Sequence, residues 1–381
     1  MGEKMKRVII LILILCISAN ASSQLKNTDV KLTTIIHSET EHVKGAKADS
    51  NSFTSLYSHL LLNYDFSEDI FLSLAGKYNG VLSENKYNSA LYLQTKQNSD
   101  EINQAILSEV SLNYDNGFFA LNLGRQDVNY DWLFGSIDGI LAMFGSDEEY
   151  SLRLFWFSNY QHLQYNYYMK VEDINDNKGI YGAITKAGIK DVEFSFFNYY
   201  IEDLRNIAGG HINYLYKNSA YNLSYSSAKA LSLALYDYDE EFLSASIELL
   251  INQHYFELGV SKTGENGLLA MLQMGNFMFG EFYLGNQVDR ENAKNSFLKY
   301  IYANEKWRFE LIGGTTKYDN TFVRIQNNMN SFEIDSYLKF NYSKNLSFDL
   351  GLMYMNVDER DPLQSDQTFM MFNVVYNYEN Y

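Results

Sequence analysis

Several charged residues in this chain recur two positions apart on segments whose other residues are apolar. That spacing puts them on one face of an extended strand. Arg308 and Glu310 share a face in this way, as do Glu333 and Asp335. Arg153, Lys170, Glu257 and Lys339 hold the polar parity of their own segments, as do Glu109, Glu193, Glu248 and Asp349. Such groups could hydrate a wide interior and pair across strands. They could also line a narrow section and select ions, as charged rings do. No catalytic constellation accompanies them. The six histidines are scattered, without H-E-x-x-H or paired-ligand spacing. Asp173, Asn175 and Asn177 begin like a calcium loop, but Gly179 falls one position late and Ile184 stands where the closing acid belongs. Ser58 and His59 are neighbours in sequence only. The expectation is a protein with no enzymatic activity, no cofactor and no bound metal.

The elements that carry these residues are strands. From about Asn27 to Tyr378, segments of roughly ten residues alternate between apolar and polar. The pattern is clearest in 332–342 and 346–352, and it recurs in 163–170 and 221–225. Ten residues suit a tilted strand crossing a bilayer. Aromatic residues gather at Phe155-Trp156-Phe157, Tyr165 to Tyr168 and Tyr199-Tyr200, where interfacial girdles would sit. Connections alternate between short and long. Short turns are read at 115–117, 187–190, 252–253, 303–305 and 343–345. Long connections are read at 127–148, 172–178, 201–209, 229–240, 286–295, 317–330 and 357–367, with 81–103 as one further loop. This rhythm predicts an all-β, transmembrane, up-and-down antiparallel barrel of about 18 strands, within 16–20, whose last strand is 368–378. At that size the interior is wider than side chains can fill.

Composition agrees. Mean hydropathy below zero excludes a bundle of membrane helices, while 46% hydrophobic and 16% aromatic residues exclude disorder. Lys4, Lys6 and Arg7, the apolar run from Val8 to Ser18 and Ala19-Asn20-Ala21 read as a signal peptide over 1–21, leaving 22–381 as a single barrel domain. Cys16, the only cysteine, lies inside that run, so neither thiol catalysis nor a disulfide is expected. The whole chain carries a net charge of -17, which disfavours nucleic acid as a partner.

At Leu121-Asn122-Leu123-Gly124-Arg125-Gln126 the chain resembles the outer-membrane porins of the OprD type. It is most similar to the Opr-family porins of Campylobacterota, in which such a strand end precedes a long inward loop. The resemblance implies an 18-stranded barrel in the outer membrane of a Gram-negative bacterium, homotrimeric or monomeric. Its partners would be membrane lipids and small hydrophilic solutes or ions. Gly124, Arg125 and Gln126 are the motif residues. The basic ladder that binds carboxylates in better-known members is thin here. The matching loop would be 127–149, the candidate constriction. It holds Asp127, Asp131, Asp138, Asp147, Glu148 and Glu149 and no base, with Trp132, Leu133 and Phe134 among the residues able to pin it inside. The first expectation for function is a passive, cation-leaning pore. The second is a structural or adhesin-type barrel that acts through its external loops.

Overall fold

The computed structural model describes residues 28–44, 51–85, 104–146, 150–164, 168–176, 178–231, 239–268, 282–320, 326–361 and 365–380. The expected signal peptide, Asp147, Glu148, Glu149 and the side chain of Lys170 lie outside the described residues. Nineteen strand segments run up and down. They open with β1 Thr28–Val43, β2 Asn51–Asp65, β3 Ile70–Asn85, β4 Ala105–Asp115, β5 Phe119–Tyr130 and β6 Leu133–Ser146. β7 Tyr150–Leu163, β8 Tyr168–Asp173, β9 Ile180–Ile189, β10 Val192–Ile201, β11 Arg205–Tyr216, β12 Ser219–Ala230 and β13 Glu240–Ile251 follow. β14 His254–Thr263, β15 Glu291–Ala303, β16 Trp307–Asn320, β17 Gln326–Asn341, β18 Leu346–Val357 and β19 Gln367–Asn380 complete the ring.

β1 pairs with β19 from Val30↔Asn380 to Val43↔Gln367, so the sheet closes on itself and has no free edge. β8 and β9 are two halves of one strand. The far end of β7, Asn159 to Leu163, pairs with β8, and its near end, Tyr150 to Phe157, pairs with β9. The nineteen segments therefore make a barrel of 18 strands. Between the two halves, Asn175, Asp176 and Gly179 take positive φ.

The alternation sets which face looks where. On β12, Tyr221, Leu223 and Tyr225 are exposed on the outer wall while Asn222, Ser224 and Ser226 point into the lumen. Outward residues line up across strands, as in Leu338↔Leu350 and Leu350↔Phe372, to give an apolar band. Phe66, Phe118, Tyr216, Trp307 and Tyr342 stand exposed beside the short turns and form an aromatic girdle at that end.

Several expectations need correcting. All five expected short turns are present, and so are the connections near 229–240 and 357–367. The segment 127–149 is not a loop, because its residues 127–130 end β5 and 133–146 form β6, joined by a two-residue turn. β6 carries apolar side chains on both faces, Leu133, Ile137 and Leu141 on one and Phe134, Ile140 and Phe144 on the other, so the period-two signal that marks other strands is missing there. The alternating segment 163–170 straddles the end of β7 and the start of β8. β11 begins already at Arg205 and β16 runs to Asn320, which shortens two expected loops, whereas the connection after β14 lengthens to 264–290. β3 extends to Asn85 into the expected loop 81–103. Phe155, Phe157 and Tyr199 belong to no girdle, since they face inward and are buried against the β5–β6 hairpin.

Candidate functional site: the narrowed lumen

The β5–β6 hairpin leaves the wall at the recognised motif. Gly124 has φ 116, a conformation that L side chains rarely adopt, and the carbonyl of Val110 occupies the place a Cβ would need. Gly135, with φ 125, and Gly139, pressed against the backbone of β7, permit the matching bend on β6. Arg125 grips Asp138 across the hairpin base with Nε to Oδ1 at 2.6 Å and Nη2 to Oδ2 at 2.7 Å, a bidentate pair. The Leu107 carbonyl of β4 accepts from Arg125 Nη1 at 3.1 Å and from Gln161 Nε2 of β7 at 2.8 Å. Above this point β7 therefore approaches β4 directly and the wall continues behind the departed hairpin. Gln126 is buried at the same bend.

Once inside, the hairpin is anchored at each level. Asp127 accepts from the ammonium of Lys77 on β3 and from Ser136 Oγ. Asp131, at the tip, lies 2.9 Å from Nε2 of His211 on β11, whose Nδ1 is 2.7 Å from Ser224 Oγ. Trp132, with φ 62, is 2% exposed and meets Phe242 of β13 edge-on at 6.1 Å. Val128, Leu133 and Ile137 join it in one cluster with Phe155, Phe157, Phe197, Tyr199 and Ile207 of the inner wall. Residues 127–137 thus pack against the inner wall as a hairpin. Its acids serve as anchors, because Asp127, Asp131 and Asp138 each face a Lys, His or Arg, so the segment is not a bare acidic surface.

A second element enters from the other side. Within the connection 264–290, residues 282–290 lie against the lumen face of β15–β19. Tyr283 stacks on Phe369 at 4.8 Å, and Phe282 meets Phe297 at 6.2 Å. The Tyr283 amide donates to Asp335 Oδ2 at 2.7 Å, and the Leu284 and Asn286 amides donate to the two oxygens of Glu333 at 2.6 and 2.7 Å. Glu333 and Asp335 do point inward as expected, but this segment covers them fully. They line no open passage.

On the lumen face of β9–β15 lies a cavity of about 580 Å³, lined largely by polar side chains. Glu193, Glu248, Glu257, Lys186, Lys299 and His211 supply its ionisable groups, and Tyr255, Asn222, Ser244, Ser246 and Asn295 its hydroxyls and amides. Glu248 accepts from Asn222, and Glu257 accepts from Tyr255 at 2.9 Å. Of the residues that sequence parity singles out, Glu193, Glu248 and Glu257 border this cavity. Arg308 and Glu310 pair at 2.8 Å, and Glu310 also holds Lys299 at 3.5 Å. Lys339 lies between Arg308 and Asp349 in register. Arg153 points inward beneath the hairpin, over the Tyr130 ring at 5.6 Å. Lys186 and Lys299 escaped notice in the sequence, although outward Leu298 gives Lys299 the inward parity. At the long-connection rim, the bidentate grip of Arg360 holds the Asp358 carboxyl down at about 2. Among the described residues no group of His, Cys, Asp and Glu is arranged to hold a metal ion.

No protein-family model and no curated protein matches the sequence. Solved structures do. OpdO of Pseudomonas aeruginosa is similar at a TM-score of 0.74 and 12% identity, over 93% of this chain and 98% of that one. OccAB1 of Acinetobacter baumannii gives 0.77 at 11% identity, over 94% and 98%. OpdK of P. aeruginosa, in a structure with vanillate, gives 0.72 at 12% identity, over 93% and 100%. Over nearly its whole length, this chain has the fold of the OprD-like outer-membrane porins.

Proposed function

We propose that the protein is a passive outer-membrane channel for small hydrophilic solutes, with the short turns on the periplasmic side and a preference for cations. The observation that carries this reading is the polar cavity on the inner wall of a closed 18-strand ring. A structural or adhesin barrel needs no such interior, and a ring of this size is too wide for wall side chains to fill. No covalent step is required, because the wall offers hydrogen-bond partners along the passage and binding weak enough to let solutes leave.

The cation preference rests on Glu193, Glu248 and Glu257 against Lys186 and Lys299 in the cavity, within a chain of net charge -17. Low-dielectric walls focus such a field and raise the local cation concentration. A carboxylate such as the vanillate in the OpdK structure would meet two ammonium groups here but also those three carboxylates. Reversal potentials under a KCl gradient across a planar bilayer test the reading. Potassium preference is expected. Chloride preference would mean that the lysines govern the passage, and absence of any current would refute the pore.

A further inference from the structure

The inward segment 282–290 is held in an unusual way. Glu333 and Asp335 sit two residues apart on one face of β17, both fully buried. Two buried carboxylates side by side are costly through lost hydration and mutual repulsion. The compensation comes from backbone amides of the segment itself. Gly285, Asn286 and Gln287 take φ values of 88, 42 and 57, and this run of left-handed residues turns the Leu284 and Asn286 amides onto one carboxylate. Such a concave run of N–H groups is a nest for an anion. Asn286 and Gln287 bear the strain of that backbone, which persists only where its surroundings enforce it. Ser331 adds Oγ to the Asn286 Oδ1 at 2.8 Å. Strap and carboxylates therefore need each other. Without the carboxyl oxygens these amides lose their acceptors, and without the amides the buried oxygens lose their donors.

We propose that Glu333 and Asp335 are positioning residues whose carboxyl oxygens, by accepting from the backbone amides of Tyr283, Leu284 and Asn286, keep segment 282–290 seated as a strap over part of the lumen. The proposal rests on the pore reading above. It deepens that reading by assigning the width of the passage to a detachable segment as well as to the barrel.

Single-channel conductance of the full chain in planar bilayers tests this. The E333Q/D335N variant keeps the side-chain volumes but replaces one oxygen of each carboxyl group with an NH2 that cannot accept an amide N–H, and should conduct about twofold more than wild type or switch between two levels. Adding N286C/S331C, in a chain whose only other cysteine is Cys16, should return the oxidised protein to the wild-type level, and a reductant should reverse this. Wild-type conductance from E333Q/D335N in both redox states would overturn the proposal. If that variant does not fold, replacing 283–288 with a Gly-Ser run removes the strap and leaves the wall intact. Unchanged conductance there overturns the proposal equally. Current from wild type with unresponsive variants refutes the strap alone, whereas silence from every variant refutes the pore.

Discussion

Leu338 and Lys339 are neighbours on β17 with opposite surroundings. Leu338 is 37% exposed on the outer wall, and Lys339 sits in the lumen between Arg308 and Asp349. In lipid there is no water to meet a misplaced charge, so Leu338→Arg should destabilise the barrel by roughly 2–4 kcal/mol. Ser246→Arg, on the lumen face of β13 beside the cavity, should leave the unfolding midpoint near wild type. Urea titrations of protein refolded in vesicles would show the ranking, and a larger loss at Ser246 would reverse the assignment of faces. Sequence parity alone proposes an inward set that includes Glu257, Arg308, Glu310, Glu333, Asp335 and Lys339. What it could not give was cover. Nothing local to Glu333 or Asp335 announces that a segment some fifty residues earlier in the chain lies over them, as the Asp335 bond to Tyr283 shows at a separation of 52.

At the scale of elements, the β5–β6 hairpin is packed inside the ring against the inner wall. Trp132 is its deepest anchor, and Trp132→Ala removes a buried aromatic for about 3–5 kcal/mol of local packing. The wall strands do not depend on that contact. The expected result is a barrel that still resists denaturation but shows noisier and larger single-channel currents as the tip loosens. Quiet currents of wild-type size would mean that the polar anchors Asp127 and Asp131 suffice. In the sequence, the many apolar residues after Gln126 favour an inward fold over an external loop that shields the mouth, because they would need cover. The sequence misled about form. Alternation fades wherever a strand is apolar on both faces, so β6 read as loop, and the inward aromatics of β7 and β10 read as girdle.

For the whole molecule, charge decides more than shape. Exposed groups at the mouth are screened within about 10 Å at 0.1 M salt, but those inside a low-dielectric ring are screened less. Potassium selectivity should therefore fall between 0.1 and 1 M KCl without vanishing, and reversal potentials taken at both concentrations check it. Selectivity lost completely at 1 M would place its source at the rim, near Asp358 and its neighbours, and not at Glu193, Glu248 and Glu257.

The seam between β1 and β19 has a cost that no hairpin in the ring shares. Thr33 Oγ1 donates to Asn377 Oδ1 at 2.9 Å across 344 residues of intervening chain. Loop-closure entropy grows as the logarithm of length, so joining these two strands costs about 4 kcal/mol more than closing the Asn252–Gln253 turn. No partial seam recovers that cost well, because an open ring in lipid would leave two strand edges with unmet backbone groups. The seam therefore belongs to the last and most cooperative event in assembly. Until β19 arrives, the first strand has one neighbour and must be kept from pairing elsewhere.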